Sequence, residues 1–314
     1  MGSNMSEDFQ PDALRAALQP FCSDQPEPSQ AAGYRRFYQL NLARAEHARL
    51  GSLAVAGYQL ALQLWRPVEP RATLVLMHGY YDHVGLYGHL IDWALGMGFA
   101  VLAVDLPGHG LSSGTPASIH DFAEYQAVLC AVLNTAAQLQ LPQPWHLCGQ
   151  STGAGIVLDY LLNGEPLPQV GEVILLAPLV RPRAWWRSRL SYHLVKPFVT
   201  SIPRHFYANS HDAAFIDFVQ FRDPLQARTL PVDWVGAMAK WIPRIECAGR
   251  SSRSPLIIQG DADQTVDWQH NLAVLRDKFK EPSVCMVADG RHHLVNEGQA
   301  WRAGYLTFLS ERLG

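Results

Sequence analysis

The sequence predicts an α/β fold, a doubly wound and mostly parallel sheet with a helical cap inserted after the strand that follows a Gly-x-Ser-x-Gly turn. Three observations predict it. Continuous apolar runs at 72–77, 100–104, 145–148, 170–177, 256–259 and 283–287 alternate with helical patterns, as strands buried on both faces of a parallel sheet do. One of these runs breaks at Gly149-Gln150-Ser151-Thr152-Gly153 straight into a helical pattern. The rhythm then fails between about 181 and 246, where aromatics crowd among prolines 182, 197, 203, 224, 231 and 243 and no clean strand run survives.

Taken in order, Met1-Gly2-Ser3-Asn4 ahead of Met5 reads as a tag scar, and residues 5–28, polar and broken by Pro11, Pro20, Pro26 and Pro28, read as a flexible lead. Residues 29–48 carry a helical pattern with Ser29 as N-cap and Gly51 past the end. Strands at 52–56 and 58–66 flank Gly57, the second alternating Leu60, Leu62 and Leu64 against Gln59 and Gln63. The strand at 72–77 runs into His78-Gly79-Tyr80-Tyr81-Asp82-His83, and a helix at 90–97 precedes the strand that ends at Asp105. Phe122, Tyr125, Val128, Leu129, Val132 and Leu133 space a helix over 119–139, which Pro142 and Pro144 stop. The helix after Ser151 closes near Asn163-Gly164. Helical pieces at 212–221 and 233–241 lie inside the insertion, and helices at 268–279 and up to about 312 complete the alternation. The division expected is a tag scar and lead at 1–28, a core of 29–180 with 247–314, and a cap at 181–246.

A chain of 314 residues with 48% hydrophobic content buries a large core. Net charge −3 without a single-sign run gives nucleic acid nothing to bind. Five cysteines, odd in number and mostly within apolar segments, read as free buried thiols of a reducing, cytoplasmic compartment. With no CxxC and no HExxH, neither a metal nor any other cofactor is called for. No run reaches the ~18 apolar residues that span a bilayer.

The pattern Gly-x-Ser-x-Gly occurs twice, and context separates the copies. Gly110-Leu111-Ser112-Ser113-Gly114 follows Pro107-Gly108-His109 and runs into Thr115-Pro116, so Ser112 reads as a loop residue. Ser151 stands between an apolar strand and a helix, where a tight turn pushes its hydroxyl outward and free helix N–H groups face any oxyanion beside it.

This turn resembles the nucleophile elbow of the α/β-hydrolases, and His-Gly-x-x-Asp-His at 78–83 is similar to the oxyanion loop of their monoacylglycerol lipase and lysophospholipase branch, close to the serine aminopeptidases. The resemblance implies that the amides of Tyr80 and Thr152 hold the oxyanion. It leaves His78 and His83 to brace the loop. Pro107-Gly108-His109-Gly110 resembles the Gly-His-Gly-x-Ser loop, with Pro107 where many relatives carry arginine, and His109 and Asp105 read as structural.

A serine nucleophile needs a base and a carboxylate to orient that base, in the chain order Ser, acid, His. Asp261, Asp263 and Asp267 compete for the acid, and the family form Gly-x-x-Asp selects Asp263. His292 and His293 compete for the base, and the family pattern His-x-Leu-x-x-Glu selects His292, leaving His293 without a role. Ser151 excludes the dehalogenases and epoxide hydrolases of this fold, which use aspartate. The function implied is a serine hydrolase of carboxylic esters, with single-chain lipid esters as substrates and Tyr81, Trp185 and Trp186 as substrate-binding residues. An aminopeptidase, a short-chain carboxylesterase and a non-catalytic binding protein are the rivals. The cap holds ten basic against five acidic residues, interleaved with Trp185, Trp186, Phe198 and Trp241, which points to peripheral contact with a membrane.

Overall fold

The structure, a computed structural model, describes residues 9–22 and 24–314, so the tag scar and the lead up to residue 8 lie outside the described residues. From Phe9 onward the lead is not loose. Helix α1 (Pro11–Ala17) opens with proline at N1, where a missing N–H costs nothing. Leu14 is wholly buried, Phe21 nearly so, and the Phe9 ring meets Tyr34 at 5.5 Å and Tyr38 at 5.6 Å. Burial of these apolar side chains outweighs the polar, proline-rich composition from which flexibility was expected.

The helix expected over 29–48 is also corrected. Helix α2 spans only Ala31–Phe37, and Gln39 then turns the chain at φ 56°. Residues 38–46 are turns and irregular chain, and only the last two positions of the pattern, His47 and Ala48, belong to β1 (His47–Val55), which pairs with β2 (Tyr58–Arg66) from His47 opposite Arg66 to Val55 opposite Tyr58. A cross-strand ladder of that length overrides a modest helical preference.

The core then alternates through β3 (Ala72–Met77), α3 (Gly88–Gly96), β4 (Phe99–Val104), α4 (Phe122–Gln138), β5 (Trp145–Gln150), α5 (Thr152–Asn163) and β6 (Val170–Leu176). Helix α4 begins later than its apolar spacing predicts because Asp121 and Glu124 form a reciprocal capping box. The insertion comprises α6 (Trp185–Val195), β7 (Ser201–Pro203), α7 (Ala213–Asp217) running into a π turn at Phe218–Arg222, β8 (Thr229–Pro231) and α8 (Val232–Glu246). The core resumes with β9 (Leu256–Gly260), α9 (Trp268–Lys278), β10 (Ser283–Val287) and α10 (Gln299–Leu313).

Eight strands make one sheet in the order β1-β2-β4-β3-β5-β6-β9-β10. Within this sheet, among the described residues, only the pairings of β2 with β1 and β4 are antiparallel. Every residue of β3, β4 and β5 is buried, and alternate side chains feed two apolar layers: Val75, Met77 and Leu102 on one face, Leu74, Leu76 and Val101 on the other. Strand order reverses at β3, with β4 on one side and β5 on the other, so the loops leaving β3 and β5 open a crevice at their carboxyl ends.

Helix α8 anchors the insertion to the core: Trp234, Ala237, Met238, Trp241 and Ile245 are buried, and Trp241 stacks on Phe122 at 4.4 Å. Helix α6 differs, for Trp186, Leu190 and Leu194 stand 65%, 57% and 64% exposed. All five cysteines are free, but only Cys148 is buried; Cys22, Cys130 and Cys247 are exposed because they fall on solvent faces or connections of these elements, against the expectation of buried thiols. Among the described residues no helix is long and apolar enough to cross a membrane.

Candidate active site

Strand β5 delivers Ser151 at φ 53° and ψ −111°, a strained conformation that turns its hydroxyl out of the sheet. The turn is possible only with glycine on either side. A Cβ on Gly153 would stand 2.0 Å from Met77 O, and one on Gly149 would stand 2.3 Å from Gly153 C. Ser151 N donates to Leu176 O at 2.8 Å, and Gly155 N to Ser151 O at 3.0 Å, which pins the turn to β6 and starts α5.

The structure brings Ser151, His292 and Asp263 together. His292 Nε2 lies 2.9 Å from Ser151 Oγ, and His292 Nδ1 lies 2.7 Å from Asp263 Oδ2. The carboxylate bond places the proton on Nδ1, so Nε2 accepts from the serine hydroxyl. Asp263 is held by the amides of Thr265 at 2.7 Å and Val266 at 3.1 Å and by Gln259 Nε2 at 3.2 Å. Gln150 Nε2 donates to His292 O at 2.8 Å, tying the histidine loop to the strand that carries the serine. The other aspartates are engaged elsewhere: Asp261 accepts from Asp289 N at 2.7 Å, and Asp267 pairs with Arg181 at 2.8 Å.

Burial alone pulls the His292 pKa down, but the charge and hydrogen bond of Asp263, with a further contribution from Asp82, leave it above its ordinary value. Burial alone raises that of Asp263, and the charge and bond of His292 with two backbone N–H donors bring it below its ordinary value. Each partner thus favours the other's charged form.

The loop leaving β3 lies across the crevice. Tyr87 OH accepts from Gly79 N and donates to Asp82 Oδ2, both at 2.8 Å. His78 Nδ1 donates to Gly79 O at 2.7 Å while its Nε2 accepts from Leu106 N at 2.8 Å, and burial lowers its pKa to about 3, so it braces the loop as a neutral ring. His83 Nε2 meets Asp223 Oδ2 at 2.9 Å, joining this loop to the insertion. The amides of Tyr80 and Thr152 have no protein acceptor among the described residues. Asp105 accepts from Val84 N and Leu111 N, His109 Nδ1 donates to Pro107 O, and Ser112 Oγ donates to Asp105 O at 2.6 Å; all three are tied into their own loops.

Of the aromatic residues expected at the substrate, Tyr81 lies on this loop with its ring 4.1 Å from that of Tyr80. Trp185 packs at the edge of the core cluster. Trp186 is not brought into the buried site, since its ring faces solvent with the Arg187 guanidinium 5.1 Å away. Its helix turns only one of two adjacent tryptophans inward. The structure adds contacts that the sequence did not reveal, one of them to His293, which had no assigned role. Trp234 of α8 stacks on Tyr80 at 3.7 Å, and His293 Nε2 donates to Asp82 Oδ1 at 3.1 Å. The latter partners are 211 residues apart, beyond any local pattern.

Comparison with known proteins shows what the chain is similar to. A family model described as serine aminopeptidase, S33, matches residues 68–299. A monoacylglycerol lipase of Mycolicibacterium smegmatis is 34% identical over 139 residues, 44% of this chain and 48% of that one, so the match spans about half of that protein. A monoglyceride lipase of Mus musculus is 24% identical over 249 residues, 76% of this chain and 81% of that one. Among solved structures, a Paleococcus ferrophilus monoacylglycerol lipase superposes with TM-score 0.69 at 19% identity, over 81% of this chain and 98% of that one. A soluble variant of the Saccharomyces cerevisiae monoglyceride lipase does so with TM-score 0.73 at 16% identity, over 87% and 96%. These two superpositions share the fold, and because the matched segment runs from the connection after β2 to the start of α10, through the elbow and both of its partner loops, the chain belongs to the serine aminopeptidase family, S33, of α/β-hydrolases.

Proposed function

We propose that the protein hydrolyses carboxylic esters of single-chain lipids, monoacylglycerols or lysophospholipids, through an acyl-enzyme on Ser151. The relay Ser151–His292–Asp263, at 2.9 and 2.7 Å within a buried elbow, carries this reading. His292 takes the hydroxyl proton as Oγ attacks the ester carbonyl, and Asp263 stabilises the imidazolium and holds the ring in its tautomer. The amides of Tyr80 and Thr152 receive the negative charge on the carbonyl oxygen, each such donor contributing about 10²-fold or more. His292 then returns the proton to the leaving alcohol, deprotonates a water that attacks the acyl carbon, and protonates Ser151 as the carboxylic acid leaves.

Two observations favour a lipid ester over a peptide. The mycobacterial and mouse relatives are named as lipases of monoacylglycerol and monoglyceride. The five acids of the insertion, one of which would have to hold a substrate ammonium, are all engaged: Asp212 caps α7, Asp217 pairs with Arg222, Asp223 with His83, Asp233 with His120 and Glu246 with His270. The exposed face of α6 and the turn after it, with Trp186, Leu190, Leu194 and Phe198 beside Arg187, Arg189 and Lys196, suits an enzyme that meets its substrate at a cytoplasmic membrane face.

The test is labelling by a fluorophosphonate together with hydrolysis of 1-oleoylglycerol and of nitrophenyl esters of graded chain length, in wild type and Ser151→Ala. Labelling and turnover lost in a folded Ser151→Ala support the reading. A folded wild type that does not label would make this a binding protein, and a preference for acetyl over oleoyl esters a short-chain carboxylesterase.

A further inference from the structure

Arg204, in the connection after β7, holds its guanidinium between two rings. Its Cζ lies 3.9 Å from the Tyr81 centroid and 4.2 Å from that of Phe206. Nη1 donates to Gln226 Oε1 at 2.7 Å and to Ala227 O at 3.2 Å, both neutral acceptors. Among the described residues Nε and Nη2 make no hydrogen bond and no carboxylate lies within ion-pair distance. Asp82, near enough to be felt, is already bonded to His293 and Tyr87. Burial lowers the Arg204 pKa to about 10, so the group is still a cation at neutral pH. A second guanidinium, that of Arg228, lies 5.2 Å from the same Phe206 ring with its Nη1 on Gln220 O at 2.6 Å.

A half-buried guanidinium stacked on aromatic faces, with its outer edge unbonded, is a fork awaiting a planar or tetrahedral anion. Its place in the site gives that anion an address. Tyr81 follows Tyr80 directly, and Tyr80 carries one of the two amides proposed to hold the oxyanion. The guanidinium therefore stacks on the residue that directly follows the proposed oxyanion donor, on the same loop.

We infer that Arg204, backed by Arg228, receives a phosphate on the glycerol side of the substrate, so that the enzyme prefers a lysophospholipid with an exposed phosphate to a neutral monoacylglycerol. This rests on the lipid-ester reading of the Ser151 site and selects between the two substrate classes left open there. Arg204 makes no contact with the relay and acts on specificity alone.

The experiment compares release of oleate from 1-oleoylglycerol 3-phosphate and from 1-oleoylglycerol by wild type, R204Q and R204K, each shown to be folded by its melting temperature. The ratio of kcat/KM, phosphate over neutral, should exceed one in the wild type. It should fall about tenfold or more in R204Q, mainly through KM, and be partly restored in R204K. A role confined to packing would lower both substrates alike and leave the ratio unmoved, which overturns the inference. Glycerol 3-phosphate should compete with oleoylglycerol on the wild type where glycerol does not, a readout that needs no variant; equal effects of the two also overturn it. Should the wild type release oleate from neither lipid, the lipid-ester reading itself falls, whereas release from oleoylglycerol without preference for the phosphate removes only the role of Arg204.

Discussion

Asp82 Oδ1 and His293 Nε2 meet at 3.1 Å, and through this bond the loop that carries Tyr80 is joined to the loop that carries His292. The two loops leave different strands, β3 and β10, and in the proposed mechanism both act on one carbonyl group. The same carboxylate bonds Tyr87 OH, which in turn receives Gly79 N, so Asp82 sets the position of the proposed oxyanion donor and the electrostatics of the base together. Asp82→Asn should therefore lower kcat/KM for a nitrophenyl ester about tenfold. It should also shift the acid limb of the pH profile downward, because the Asp82 charge helps to raise His292. Loss of rate without that shift would make Asp82 a packing residue.

In the wild type the same limb locates the base. His292 works as an acceptor only when neutral, and its pKa stands above the ordinary 6.5, so kcat/KM should rise with pH through a midpoint higher than 6.5 and level off beyond it. A profile flat down to pH 5 would show that His292 does not take the proton.

Gly153→Ala tests the elbow independently of activity. The added methyl meets Met77 O at 2.0 Å and His78 O at 2.6 Å, both backbone atoms of the adjoining strand and loop that cannot swing aside. The cost should be about 3 kcal/mol or more, read as a lower urea midpoint at unchanged slope.

The pair His83–Asp223, wholly buried and joined by Tyr38 OH at 2.7 Å, predicts a pH-dependent stability. Burial opposes both charges, but the pairing leaves His83 raised and Asp223 lowered. A raised histidine contributes fully below its unfolded value of about 6.5 and loses that contribution as pH climbs through its folded value. A lowered aspartate contributes fully above about 3.8 and loses it as pH falls through its folded value. Asp223→Asn should thus cost most between about pH 4 and 6.5, on the order of 3–5 kcal/mol, with the deficit narrowing at higher pH. Thermal melts of both proteins across pH 4–9 check this, and a deficit constant over the range would mean that the hydrogen bonds matter and the charges do not.

The exposed face of α6 predicts salt-sensitive binding to anionic vesicles. Screening acts over ~8 Å at physiological salt, so sedimentation with phosphatidylserine vesicles should exceed that with phosphatidylcholine at low salt and converge with it as salt rises. Leu190→Glu with Leu194→Glu should reduce both. Equal binding to the two lipids at all salt concentrations would remove the charge argument.

What the sequence determined by itself is what local rules carry. Buried parallel strands are continuous apolar runs, so the sheet from β3 onward was legible in place. Ser151 was separable from Ser112 because one copy of the motif enters a helix and the other a proline. Asp263 and His292 were selected by their spacing from neighbouring glycine, leucine and glutamate through resemblance to the hydrolases, and the structure sets His292 beside Ser151 and Asp263 beside His292. Tertiary structure decided the rest, wherever burial or pairing between distant segments outweighs local preference. The ladder with β2 carried the strand expected at 52–56 back to His47, over the last two positions of an expected helix, and the packing of Phe9, Leu14 and Phe21 made the lead part of the core. Which of two adjacent tryptophans faces inward depends on how α6 lies, and sequence does not encode that orientation in so short and polar a helix. Asp82 with His293 and Tyr80 with Trp234 are each drawn together from more than 150 positions apart by the closing of the sheet and the docking of α8, a closeness that exists only once the hydrophobic layers have formed.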